Sequence, residues 1–352
     1  MSRITIIGTG SYAPGEPIPN EALSRVMDTS GDWIEQRSGI QQRHFAAEGV
    51  GVSDLGAQAA ERAIAAAGIV RSDIDYIIFA TMTPEHVYPG SGSLLGAKIG
   101  IPRVPALDVR QQCAAMPFSL QVANGLVATE AASTVLIVGA DAHAGLMPWV
   151  DWDVLRGTSD RQVAPEDFER ATRHRAVSVL FGDGAGAMVV RASGSEERGF
   201  LAADLHSDGE RKDFIYIPGG AFTALPYINQ RVLDEETFYP QMRGRDLFKA
   251  AVLELAASIE TVCAKAGVTL DDVDCFVCHQ ANDRINQGVI NKLGIPPEKA
   301  PSNIARYGNT SAATIGILLD ELVREGRVKQ GDLICMAALG AGLNWGTCLI
   351  RL

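Results

Sequence analysis

A stretch of this chain occurs twice, about two hundred residues apart. Residues 66–79 run from Ala66-Ala67-Gly68 through Asp73-Ile74-Asp75 to Tyr76-Ile77-Ile78-Phe79, and residues 265–278 repeat the plan from Lys265-Ala266-Gly267 through Asp272-Val273-Asp274 to Cys275-Phe276-Val277-Cys278. Each copy reads as a helix end closed by Gly, an acidic turn and a buried strand. The echo continues in Ile99-Gly100-Ile101-Pro102 and Leu293-Gly294-Ile295-Pro296, then in strand-to-helix junctions at 106–113 and 301–309. An Ala-rich helix and a further strand follow each junction, 135–139 and 333–337. Alternation of this kind predicts an α/β protein of two doubly wound halves. Two similar halves pack about a pseudo-dyad, giving a layered α-β-α-β-α arrangement. The linker-like Ala192-Ser193-Gly194-Ser195-Glu196-Glu197-Arg198-Gly199 divides them into residues 1–195 and 196–352. Two stretches stand outside the repeat: 146–175, with an amphipathic helix expected around 165–175, and the Gly-, Pro- and aromatic-rich 207–241. Insertions on a repeated scaffold usually shape a binding site or a subunit contact.

Composition narrows the function. A chain of 352 residues with 47% hydrophobic residues can bury a sizeable core without metals or disulfides. Its formal net charge of −11 argues against nucleic acid or an anionic membrane as partner. No apolar run is long enough for a membrane span, and the N-terminus reads as a first strand rather than a signal peptide. The expected compartment is the cytoplasm, and the six irregularly spaced cysteines are expected to be free thiols.

Ligands of open α/β sheets bind beyond the carboxyl ends of strands. The repeat puts three polar residues there: Cys113 just before the first Ala-rich helix, His279 after the strand 273–278, and Asn309 opening the matching second helix. Alone, such a cysteine is usually an inert buried thiol, such a histidine a satisfied core residue, and such an asparagine a turn former or cap. Their shared location argues for chemistry. Unpaired N–H groups and the helix dipole would favour a thiolate at Cys113. His279 and Asn309 could polarise a thioester oxygen or a leaving carboxylate. Two motifs are decoys. Cys275-Phe276-Val277-Cys278-His279 has haem-attachment spacing, but alternation along a strand turns its two cysteines to opposite faces. The glycines of Gly182-Asp183-Gly184-Ala185-Gly186 precede a strand rather than a helix, so a tight turn is expected instead of a nucleotide loop.

Six segments resemble β-ketoacyl-acyl-carrier-protein synthase III, a thiolase-fold condensing enzyme of fatty acid biosynthesis. They begin at Trp33-Ile34-Glu35-Gln36-Arg37, Asp108-Val109-Arg110-Gln111-Gln112-Cys113, Phe181-Gly182-Asp183-Gly184, His279-Gln280-Ala281-Asn282, Pro301-Ser302-Asn303-Ile304 and Gly340-Ala341-Gly342-Leu343. The resemblance implies a thiolase-like fold and a two-stage reaction. Cys113 takes an acyl group from acyl-CoA. Malonyl-acyl-carrier protein then loses carbon dioxide, and the enolate held by His279 and Asn309 attacks the acyl-cysteine. It further implies an oxyanion hole from the backbone N–H groups of Cys113 and Ala341, and coenzyme A contacts at Trp33, Arg37, Arg175 and Asn282. Carrier-protein docking falls to Lys249, Arg284 and Lys292, and an acyl pocket to Tyr88, Ala115 and Leu339. No metal or redox cofactor is implied. The resemblance also implies a homodimer in which the loop 84–92 reaches the other subunit's pocket.

Some positions depart from the pattern. Ala114-Ala115-Met116-Pro117 follows the cysteine, and Leu339-Gly340-Ala341-Gly342 stands where the family has Phe-Gly-Gly-Gly. Tyr88 stands where Phe is common. With the smaller Leu339, this leads us to expect a channel that favours medium-chain primers of about eight carbons, given the cost of burying an unpaired hydroxyl. Three rivals remain: an acyltransferase that hands the acyl group to oxygen or nitrogen, a non-decarboxylating condensing enzyme using Glu85 as base, and a non-catalytic partner subunit.

Overall fold

The computed structural model describes residues 3–195 and 197–352. Among the described residues, nine strands form the two large sheets, beside two minor two-stranded ones: β1 (Ile4–Tyr12), β2 (Tyr76–Ala80), β3 (Ala106–Val109), β4 (Thr134–Asp141), β5 (Gly184–Ala192), β6 (Gly199–Ser207), β7 (Cys275–Cys278), β8 (Leu333–Gly340) and β9 (Asn344–Arg351). The helices of eight residues or more are α1 (Gly31–Ser38), α2 (Val52–Ala67), α3 (Ser91–Lys98), α4 (Ala115–Ala128), α5 (Pro165–Ser178), α6 (Gly244–Ala266), α7 (Asp283–Leu293) and α8 (Thr314–Arg324).

The first sheet has strand order β1-β5-β4-β2-β3, with β2 parallel to both its neighbours and β5 antiparallel to both of its own. The second has order β7-β8-β9-β6, with only β7 and β8 parallel. The repeat therefore maps β2 on β7, β4 on β8, β5 on β9 and β1 on β6. Both repeated helices end where the sequence predicts. Gly68 closes α2 and Gly267 closes α6, each in the left-handed region at φ 65° and 70° that a side chain resists.

Five layers result. Helices α2 and α3 cover the outer face of the first sheet, and α6 and α7 the outer face of the second. Between the sheets lie α4 and α8, whose Met116, Leu120, Ile315 and Leu318 meet Ile78 and Ile137 on one side and Val277 and Met336 on the other. Each such side chain, fully buried, contributes roughly 1.5–3 kcal/mol of transfer free energy. The fit needs glycine: a Cβ on Gly186 of β5 would stand 2.6 Å from the backbone of Gly316 in α8. The haem-like pair behaves as its strand setting requires, with Cys275 facing the central helices and Cys278 facing α6. All six cysteines are free.

One expected match is missing. The second half forms no counterpart of β3, because residues 301–303 run without a strand into a short turn at Ile304–Tyr307. No described helix is long and apolar enough to cross a membrane.

Candidate active site

Cys113 sits in a single 3₁₀ turn, Gln112–Ala114, that couples β3 to α4. The residue before it, Gln112, has φ 51°, a left-handed conformation in which a non-glycine residue is strained. Ser311, at φ 52°, opens the equivalent turn Ser311–Ala313 in the second half. The repeat partner of Cys113 is therefore Ala312, and Asn309 lies ahead of the turn rather than opening the helix as the sequence predicts. The two turns touch: Ser311 Oγ stands 3.3 Å from Cys113 Sγ and donates to Met82 Sδ at 3.1 Å.

A cavity of about 260 Å³ brings together all three predicted polar residues, Cys113, His279 and Asn309, with Leu339, Gly340 and Ala341 beside them. His279 extends β7 by one residue, its N–H donating to Ala337 O at 2.8 Å. Its ring is buried, Nδ1 lies 2.6 Å from Thr314 Oγ1, and Nε2 has no hydrogen-bond partner among the described residues. Burial pushes the His279 pKa down to about 3, so the imidazole is neutral at pH 7. Asn309 Oδ1 accepts the Ser311 N–H at 2.8 Å, which fixes the amide's orientation and leaves its NH₂ group for the cavity.

The expectation of a thiolate at Cys113 is corrected. Burial pushes its thiol up to about 12, the hydrogen bond with Ser311 opposes this, and the negative charge of Asp141 adds to it. Desolvation is the largest influence, and the resting sulfur is a protonated thiol. Asp141 itself was not anticipated from sequence. Its fully buried carboxylate accepts Met82 N–H at 2.7 Å on one oxygen and Ala312 N–H at 2.9 Å on the other, tying the ends of β2 and β4 to the second half's turn. Only the assembled repeat brings these groups together.

The remaining expectations divide. Arg37, Asn282 and Arg284 line the cavity with Cys113, His279 and Asn309. Trp33 is flanked by two guanidinium groups, Arg37 at 4.5 Å and Arg175 at 5.0 Å from the ring centroid. Asn282 caps α7 and donates to Arg37 O at 3.0 Å, fastening α1 to α7. Lys249 on α6 and Lys292 on α7 are exposed and do not line the cavity. Of the acyl-pocket residues only Leu339 lines it. Ala115 is instead buried against Ala80 and Ala312, and Tyr88 is 84% exposed, away from the cavity of its own chain. Glu85 is held by Ser53 N–H and Ser91 Oγ, both at 2.6 Å, which removes it as a free base within this chain. The apolar wall, Leu247, Ala251 and Leu255 of α6 with Met242 and Ile285, went unread, although its four-residue spacing on α6 marks one helix face.

A five-layered α/β fold whose cavity gathers a cysteine, a neutral histidine and an oriented amide defines a thiolase-like condensing acyltransferase. The family profile described as 3-oxoacyl-[acyl-carrier-protein (ACP)] synthase III matches residues 107–209, and that of its C-terminal region matches 263–352. The beta-ketoacyl-[acyl-carrier-protein] synthase III of Rhizorhabdus wittichii is 38% identical over 351 residues, covering 100% of both chains. That of Caulobacter vibrioides is 38% identical, covering 99% of this chain and 100% of its own. The crystal structure of 3-oxoacyl-[acyl-carrier-protein] synthase III from Aquifex aeolicus superposes with a TM-score of 0.84 at 35% identity, covering 99% of this chain and 100% of that one. The chain belongs to the beta-ketoacyl-[acyl-carrier-protein] synthase III family.

Proposed function

We propose that this enzyme condenses an acyl-CoA primer with malonyl-acyl-carrier protein in the cytoplasm, through an acyl-Cys113 intermediate, to give a 3-oxoacyl-acyl-carrier protein. Cys113 Sγ attacks the acyl-CoA thioester, and the thiol proton leaves with coenzyme A. The tetrahedral oxyanion is held by the backbone N–H groups of Cys113 and Ala341. Malonyl-acyl-carrier protein then enters, and its C–C bond to the carboxylate breaks. The electron pair passes into the thioester carbonyl, whose oxygen takes hydrogen bonds from His279 Nε2 and Asn309 Nδ2. The enolate attacks the acyl-cysteine, and the Cys113 sulfur leaves and is reprotonated. Release of carbon dioxide drives the step, so no metal or redox cofactor enters it.

The observation that carries this reading is the pairing of an unpartnered, neutral His279 Nε2 with the oriented Asn309 amide in the cavity that Cys113 lines. The Arg37–Trp33–Arg175 stack supports a nucleotide-binding role for these residues with Asn282. Exposed Lys249, Arg284 and Lys292 on adjacent helices suit an acidic carrier protein. We further infer two halves, 1–195 and 196–352, and a homodimer. Its support is the open edge strand β3, with Leu107 exposed, beside exposed Val87 and Tyr88.

Mass spectrometry with acyl-CoA, followed by malonyl-acyl-carrier protein, tests the reaction. The expected result is an acyl adduct on the Cys113 peptide alone, then carbon dioxide and a 3-oxoacyl product. Acyl transfer without carbon dioxide would favour an oxygen or nitrogen acceptor, and no adduct at all would favour a partner subunit. Replacing His279 or Asn309 by Ala should lower decarboxylation roughly 10²–10³-fold while sparing acylation; the reverse pattern would exchange their roles.

A further inference from the structure

The proposed reaction needs a hydrogen-bond donor at His279 Nε2, and a neutral imidazole carries only one N–H. What faces Nδ1 therefore decides whether the cavity receives a donor or a bare lone pair. Nδ1 faces Thr314 Oγ1 at 2.6 Å, in the first turn of the buried helix α8. The threonine hydroxyl has one proton and two acceptors within reach, His279 Nδ1 and Ser311 O at 3.1 Å. Ser311 O already accepts the backbone N–H of Thr314, so it loses nothing essential if the hydroxyl turns away. The nearer acceptor, Nδ1, has no other hydrogen-bond partner among the described residues. On the cavity side, the Asn309 amide presents N–H groups, so an oxygen arriving there meets a matching donor only when Nε2 is protonated.

We propose that Thr314 is a positioning residue that selects the histidine tautomer: its hydroxyl donates to His279 Nδ1, which keeps the ring proton on Nε2, aimed at the enolate oxygen. This rests on the decarboxylating reading of the site. The same 2.6 Å contact holds the plane of the buried ring. Ser311 touches the arrangement at both ends, its N–H orienting Asn309 and its carbonyl, the more distant of the two acceptors, lying 3.1 Å from the Thr314 hydroxyl.

The test uses the full-length enzyme with ¹⁵N-labelled histidine, the His279 signals being assigned by their loss in His279→Ala. At pH 7 the wild type should show a protonated Nε2 and a hydrogen-bonded, unprotonated Nδ1. A proton on Nδ1 would overturn the proposal whatever the kinetics. Thr314→Val keeps the shape and removes the hydroxyl. It should lower decarboxylation of malonyl-acyl-carrier protein about tenfold or more while Cys113 acylation stays within about twofold. Thr314→Ser should restore both the rate and the Nδ1 signal. Equal loss of both half-reactions in Thr314→Val, or no rescue by Ser, would reduce Thr314 to a packing residue. If Thr314→Val fails to fold, the wild-type spectrum and the Ser variant still decide. A wild type that does not decarboxylate at all defeats the functional reading, while its spectrum still reports the tautomer.

Discussion

Burial keeps the sulfur of Cys113 protonated; the hydrogen bond with Ser311 Oγ at 3.3 Å opposes this and the negative charge of Asp141 adds to it. A thiol held this way becomes reactive only when a base or substrate removes its proton, so its alkylation should follow the rising thiolate fraction. Inactivation by iodoacetamide is expected to climb about tenfold per pH unit from pH 7 to 9 without levelling. A plateau below pH 8 would show that the helix start wins after all. His279 behaves oppositely. Its folded pKa of about 3 lies below the ordinary 6.5, so the folded chain binds no proton there while the unfolded chain does. The stability tied to the neutral ring is therefore complete above pH 6.5 and is lost as the pH falls toward 3. We expect single-turnover decarboxylation to lack an acid limb near pH 6.5. A limb centred there that vanishes in His279→Gln would contradict the buried, neutral ring.

At the scale of elements, the site depends on how closely two pieces of backbone approach. Helix α8 lies directly on β5, where Gly316 and Gly186 face each other and a Cβ on either would stand within 2.8 Å of the other's backbone. That contact sets the height of the Ser311–Ala313 turn above the first sheet. Gly186→Ala should destabilise the fold by about 1–3 kcal/mol in urea melts, as overpacked cores do. Gly209→Ala, whose added Cβ would meet nothing within 4 Å, should change stability by less than about 0.5 kcal/mol. The inserted helix α5 is fastened by its own device: Glu236, from the second insertion, takes Arg173 at 2.7 Å and His174 at 2.8 Å. The two departures from the repeat thus brace one another, and α5 also supplies Arg175 to the Trp33 stack.

At the scale of the whole molecule, β3 is an edge strand with no paired neighbour on its outer side among the described residues; Leu107 is exposed, and Tyr88 projects into solvent from the loop before α3. Sedimentation equilibrium should give a dimer, and Leu107→Lys should weaken it without unfolding the monomer. If Tyr88 bounds the partner's acyl channel, primers of about eight carbons should give a higher kcat/KM than acetyl-CoA, and Tyr88→Trp should shift the optimum. A wild-type optimum at acetyl-CoA would refute the open channel, and a monomer in solution the shared pocket.

The repeat alone determined the layered fold, because apolar periodicity and the glycine-closed helix ends of α2 and α6 are local properties written twice along the chain. The location of His279 followed from the same pattern, since it lies beyond the repeated strand β7, and Cys113 and Asn309 followed from the two matching junctions that lead into α4 and α8. Their protonation did not follow. Whether a thiol ionises or an imidazole stays neutral depends on how much protein replaces water around it, and that is a sum over residues far apart in sequence. Asp141 meets Ala312 and Asn309 meets Phe181 only when the halves close. The tertiary structure therefore decided the charge states, the tyrosine's outward direction and the donor geometry of the site. The sequence pointed to Cys113, His279, Asn309 and Leu339 as neighbours in one cavity, while Asp141 and the apolar wall of α6 emerged only from the packing.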